Sequence, residues 1–321
     1  MISILKYTVK LFSKIWNVLK KAGEEFVQDN GLKLSASLSY YTIFSLGPIL
    51  IIIISLAGIF WGREAVQGKI YGEINGLVGN SVALQIQEII QNIEKSQLGA
   101  SGALIGLGIL LIGATGVFTE MQDSINYIWS IKAKPKRGIV KLLVNRLISF
   151  SLLVSLGFLL MVSLIINALL DLMHDKLQYY FNDISVYLFQ GLNFLSILAV
   201  ITCLFAIIFK VLPDATIQWR DAFIGASFTS LLFIIGKSLI SLYVANSSIG
   251  VTYGAAASIV ILLLWVYYTS IILFFGAEFT KVYTVNYGAG IVPDKTAVFI
   301  VKRETKELPE NQRIFSPLSH S

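Results

Sequence analysis

Lys237 stands alone in charge between Ala222 and Asn246, within GASFTSLLFIIGKSLISLYVAN. Read as a helix, the stretch places that ammonium 15 residues past Ala222. At about 1.5 Å per residue this is about 22 Å into a hydrocarbon core about 30 Å thick. An ammonium facing acyl chains there costs several kcal/mol, so Lys237 is expected to turn into the protein or snorkel toward the nearer interface. Asp171 or Asp175, at the outer end of the apolar run near 147–170, is the natural partner. An ion at that depth marks either a pathway or a fixed pairing. A second group of charges gathers where other apolar runs begin and end. GATGVFTEMQDSINYIW carries Glu120, Asp123 and Asn126 at i, i+3 and i+6; Arg146, Lys210, Asp214, Arg220, Asp221 and Glu278 sit at the same kind of boundary. Charges of both signs at one depth make either a static ring of ion pairs or a gate that opens by exchanging them.

Other chemistries lack their residues. A metal-dependent nuclease or hydrolase needs several His, Asp or Glu around one open metal position. The chain has two histidines, His174 and His320, at unrelated places. No glycine-rich phosphate loop with its lysine and no nucleophile elbow is present. The one cysteine, Cys203, lies inside an apolar run, which excludes an intrachain disulfide and carries no metal signal. No enzyme, cofactor or metal centre is expected.

The elements that must hold these charges are membrane helices. Of 321 residues, 55% are hydrophobic and 14% charged, against about 25% charged in a soluble domain. Six runs are long and apolar enough to span, near 36–60, 98–119, 147–170, 184–209, 222–244 and 253–277. The expected fold class is therefore an all-α integral membrane protein, a bundle of six transmembrane helices over 35–285. Residues 1–34 form an N-terminal segment and 286–321 a tail. Alternate loops carry 20 and 4 Lys/Arg. Basic residues are retained on the cytoplasmic side, so both termini are expected there. That asymmetry also explains the net charge of +6 without a nucleic-acid partner.

Local patterns refine the bundle. The first 21 residues place Leu5, Phe12, Ile15, Trp16 and Leu19 near one helical face and Lys6, Lys10, Lys14, Lys20 and Lys21 around the other. Such a helix lies in the headgroup layer, with membrane lipid as its partner, or serves as a solvated arm. With its 34 residues before the first run, this segment is too long for a signal-peptide leader and is read as retained. Between the first two runs, Val66, Ile70 and Ile74, then Val82, Ile86, Ile89, Ile90 and Ile93, predict two short amphipathic helices. Pro48 frees the carbonyl of Phe44 and kinks the first span, whose Ser35, Ser39 and Thr42 share a face. Gly102, Gly106 and Gly113 mark close helix packing in the second, and leave self-association into a homo-oligomer open. Pro293, Pro309 and Pro317 with mixed charge predict a largely disordered tail from about 289 onward.

SLSYYTIFSLGP, GATGVFTEMQDSINYIW, LPD followed by WRDAFIGA, YGAAASIVILLLWVYY and FGAEFTKVY stand in this order between about 30 and 285. Together they resemble the YihY/BrkB family of bacterial inner-membrane proteins, once labelled ribonuclease BN; Ser37 replaces the usual alanine. The resemblance implies a six-span protein of the cytoplasmic (inner) membrane, for which transport is the usual suggestion. The ribonuclease label finds no residues here.

Two functions from different classes remain. One is a transporter-like protein moving a small solute, an ion or a lipid; the other is a structural or regulatory protein organising lipids or partner proteins. An enclosed polar cavity or a groove open to lipid supports the first. Tight packing with an exposed small-residue seam supports the second.

Overall fold

The computed structural model describes residues 2–45, 83–88, 116–134, 184–247, 249–253 and 256–302. In chain order these form α1 (Ile2–Gln28), α2 (31–45), a short helical segment at 83–88, α3 (116–128), β1 (Ile131–Ala133), α4 (Ile184–Val211), β2 (Ala215–Thr216), α5 (Trp219–Asn246), α6 (Ile249–Tyr253), α7 (Ala257–Tyr287), β3 (Val292–Pro293) and β4 (Ala297–Phe299). Three helices are long and apolar enough to cross a membrane, over Phe194–Val211, Trp219–Val244 and Ile259–Tyr287. These are the fourth, fifth and sixth predicted spans. Of the first three, only the start of 36–60 and the end of 98–119 fall among the described residues.

α7 runs ten residues past the predicted end of the sixth span. Its 31 residues make a rod about 46 Å long, against about 30 Å of hydrocarbon. The composition explains the missed boundary: the last turns mix Glu278 and Lys281 with Phe279, Val282 and Tyr283. A charge-free window stops at the first acid although the helix does not.

α4, α5 and α7 pack through one core that includes Phe205, Phe209, Phe233, Leu273 and Phe274. The α5–α7 seam is closed by interlocking glycines and threonines. A Cβ at Gly225 would fall under 3.0 Å from Thr280, and one at Gly276 equally close to Thr229. Both threonine hydroxyls donate within their own helix, Thr229 to the Gly225 carbonyl and Thr280 to that of Gly276, each at 2.7 Å. Each side chain thus fills the space a glycine leaves, and neither of these two hydroxyls is left unpaired. Thr202 and Ser230 hydrogen-bond at 2.8 Å between α4 and α5.

Two short antiparallel ribbons hem one end of this bundle. β1, just after α3, pairs with β4, and β2, between α4 and α5, pairs with β3 after α7. The ends of α3, α4 and α7 and the start of α5 therefore meet there. Here the structure corrects the sequence reading twice. The fold is not purely helical, and residues 288–302 are not a disordered tail but carry both outer strands. Two or three residues of alternation are too few to show a period, and each partner lies far away in sequence.

α1 also departs from its predicted face. Val18, Ala22 and Phe26 are buried against Phe279, Val282 and Phe275 of α7, while Ile15 and Trp16 stay exposed. The docking stripe steps by four residues from Val18; Leu19 of the predicted face packs against it, and the side chains of Leu5 and Phe12 lie outside the described ones. α1 closes at Asn30, whose φ of 55° lies in the left-handed region asparagine tolerates. The Asn30 carbonyl then accepts from the Lys33 and Leu34 amides at 2.8 and 3.1 Å, restarting the chain as α2. In the 83–88 segment Ile86 of the predicted face is buried, as is Ala83; Val82, Ile89, Ile90 and Ile93 lie outside the described residues. Val66, Ile70 and Ile74 lie outside the described residues.

Candidate functional site: an ion-pair clasp at the hemmed end

α7 brings Glu278 and Lys281 to the hemmed end one turn apart. Glu278 is fully buried. Its Oε2 lies 3.1 Å from Lys281 Nζ, and its Oε1 meets no hydrogen-bond donor among the described residues. Lys281 reaches across to α1 as well, 2.7 Å from Glu25 Oε2 and 3.5 Å from Asp29 Oδ2. Asp29 in turn accepts from Lys302 Nζ at 2.6 Å, just past β4. The Lys302 ammonium sits 4.0 Å from the ring centre of Tyr127 on α3, a cation–π distance. One cluster thus ties α1, α3, α7 and the strand hem together.

Glu25 and Asp29 are placed there by the same periodicity that docks α1. Val18, Ala22, Glu25 and Asp29 step by four, three and four residues, so the acids extend the apolar docking stripe toward the end of the helix. Lys281 is only 16% exposed, so its three ion pairs are poorly screened. The peripheral pairs Lys20–Glu24 and Lys21–Glu25, at 3.9 and 3.8 Å, are well exposed on the lysine side and contribute little.

Neighbouring contacts fix the helix ends around the clasp. Asn126 Nδ2 donates to Asp214 Oδ2 at 2.8 Å, and the Asp214 amide donates to Asn126 Oδ1 at 2.8 Å. Trp129, fully buried, donates its indole N–H to the Ala277 carbonyl at 3.1 Å. Buried Asp221 accepts from the Ala289 amide at 3.1 Å. Gly288 lies so close to that carboxylate that a Cβ would strike it. Lys210 donates to the Ile217 carbonyl.

The boundary residues singled out by sequence are thus only partly gathered. Asn126, Asp214, Asp221 and Glu278 meet at the hemmed end. Glu120 is half-buried on α3, while Asp123 and Arg220 are exposed; Arg146 lies outside the described residues. Asn126, Asp214 and Asp221 act as hydrogen-bonding braces, and the ion pairs around Glu278 run to Glu25, Asp29, Lys281 and Lys302, which the sequence reading did not select. Two signals pointed to them: the i, i+3 spacing of Glu278 and Lys281, and the acids continuing the Val18–Ala22 stripe.

Lys237 is half-buried on α5, next to buried Gly236. Asp171 and Asp175, its expected partners, lie outside the described residues, as do Pro48, Gly102, Gly106 and Gly113. Within α2 the hydroxyls are answered: Ser35 donates to the Gly31 carbonyl, Thr42 to Leu38 and Ser45 to Tyr41, at 2.7, 2.8 and 2.8 Å. They bond their own helix, as serine and threonine do inside helices. Among the described residues no group of three His, Cys, Asp or Glu is arranged to hold a metal ion.

Comparison with known proteins agrees with this architecture. The family described as virulence factor BrkB matches residues 22–299. A protein named UPF0761 membrane protein from Psychromonas ingrahamii is 28% identical over 258 residues, covering 79% of this chain and 82% of the relative. One of the same name from Aliivibrio fischeri is 26% identical over 309 residues, 92% of each chain. No solved structure matches. The matched range begins in the docked half of α1 and ends in β4, so it takes in Glu25, Asp29, Glu278 and Lys281.

Proposed function

The chain belongs to the virulence factor BrkB family of membrane proteins, and on that premise we propose that it is transporter-like, moving a small solute, an ion or a lipid through its helical bundle. The proposed setting is a bacterial inner membrane, crossed six times, with both termini in the cytoplasm. The 20-to-4 division of basic residues between alternate loops supports that orientation. On it, the hemmed end faces the cytoplasm.

One observation carries the reading. Glu278 keeps a carboxylate fully buried near the end of a membrane-spanning helix, with one oxygen lacking a donor among the described residues. An ionisable group in that position is expensive and is a mark of ion and substrate pathways. Because Lys281 shares itself between Glu278 on its own helix and Glu25 and Asp29 on α1, α1 can leave only if those pairs are exchanged. The clasp is the natural cytoplasmic gate. Lys237, deeper along α5, is the proposed pathway residue. No catalytic step or cofactor enters this reading, and any drive is an ion gradient or the substrate's own.

A second reading has its own support. The α5–α7 seam is filled by Gly225, Gly276, Thr229 and Thr280, and the α2 hydroxyls are satisfied within their helix. Such packing suits a scaffold that organises lipids or partner proteins. Purified protein in liposomes, assayed side by side for lipid flip and for ion and solute flux, separates the two. The transporter reading expects at least one flux above empty vesicles, altered by Glu278→Gln; vesicles that stay tight to all three leave the scaffold.

A further inference from the structure

Three carboxylates and two ammoniums make up the clasp: Glu25 and Asp29 from α1, Glu278 and Lys281 from α7, and Lys302 beyond β4. With every group ionised it holds one negative charge in excess. Among the described residues Lys21 is the one further cation paired with these acids, 3.8 Å from Glu25 and half exposed. Tyr127 contributes a ring face to Lys302, and among the described residues no other charge pairs with the cluster. Excess negative charge in a buried site is paid for in one of two ways, by a bound cation or by a proton. The described residues offer no arrangement that holds a metal ion. They do offer a place for a proton, since Glu278 Oε1 is buried without a donor. Glu278 and Asp29 also share the Lys281 ammonium, at 3.1 and 3.5 Å. A carboxyl carrying a proton needs no counter-charge, and it relieves the repulsion between the two acids.

We propose that the clasp is a proton-binding site in which one proton, held by the Glu278–Asp29 pair, keeps α1 docked on α7. When the proton leaves, the site retains a net negative charge inside a desolvated contact, and α1 separates so that Glu25 and Asp29 return to water. The docked form binds one proton more than the released form. The ratio of docked to released therefore falls as pH rises, by at most about tenfold per pH unit. Three apolar anchors, Val18, Ala22 and Phe26, set how much of that change appears as visible release. The inference builds on the clasp as a site but not on transport, because its test reads the position of α1 and no flux.

The test uses the full chain in lipid nanodiscs, with Cys203 replaced by alanine and spin labels at Val27→Cys and Val285→Cys, both exposed. Pulsed electron–electron distances should be short and single near about pH 6, and should gain a longer population by about pH 9. Glu278→Gln, which carries the neutral form permanently, should keep the short distance throughout. Asp29→Asn balances the charges at two against two and should likewise lose the pH response, which keeps the test decisive if one variant folds poorly. A distribution unchanged over that range overturns the proposal. So does a pH shift that survives both substitutions. Exchange of sodium for choline at fixed pH should change nothing; a response there would make the ligand a metal cation and refute the proton.

Discussion

Asn126 and Asp214 exchange two hydrogen bonds of 2.8 Å, side chain to carboxylate and amide to side chain. This reciprocal pair joins the end of α3 to the turn after α4 and holds β2 where β3 can pair with it. Asn126 is buried, so Asn126→Ala strands both partners and should destabilise the protein by about 1–3 kcal/mol. Thermal unfolding in detergent checks it. Asn126→Asp should be worse, since a carboxylate cannot donate to Asp214 and repels it.

The α5–α7 seam makes a prediction about volume. Gly225→Ala drives a methyl into Thr280 and should cost about 1–3 kcal/mol through overpacking. Adding Thr280→Ala removes the struck oxygen and should recover part of that loss. A double-mutant cycle reads the coupling; purely additive effects would mean that the helices do not meet here.

Three of the four lysines that pair with acids among the described residues, Lys20, Lys281 and Lys302, should rank by burial. Lys281→Met removes the ammonium that Glu25, Asp29 and Glu278 share, leaves a buried negative charge unpaired, and should destabilise by about 3–5 kcal/mol. Lys302→Met should do less, its side chain being 25% exposed. Lys20→Met, at 69% exposed, should stay within about 0.5 kcal/mol. Chemical unfolding of the three variants under one condition gives the order.

Lys302 also makes a local prediction. It is the link from the strand hem to Asp29 and Tyr127. Lys302→Met should therefore speed amide hydrogen exchange in the second half of α1 while α5 keeps its protection. Equal exchange in both helices, with or without the substitution, would show that the hem does not hold α1.

Much of this fold was legible in the residues. Long apolar runs located α4, α5 and α7, with Lys237 the one charge inside them, because a membrane span must be predominantly apolar. The same rule misplaced the end of α7, since a helix can leave the bilayer with its backbone pattern intact. The quoted family motifs were specific enough to identify the family. The strand hem was not legible: Ile131–Ala133 and Ala297–Phe299 pair across most of the chain, and neither is long enough to show a period. The clasp was half legible. Glu278 drew notice as an acid at a span boundary, whereas Glu25 and Asp29 were not singled out. Only the docking of α1 turns them into partners of a membrane helix.

The central claim is that the hold of α1 on α7 controls passage through the bundle. Val18 and Val282 share one buried cluster, so cysteines there, in a Cys203→Ala background, can be joined by a short reducible cross-linker. In proteoliposomes the cross-linked protein should lose its flux and regain it on reduction. Flux that is identical in the joined and the reduced state would contradict the account.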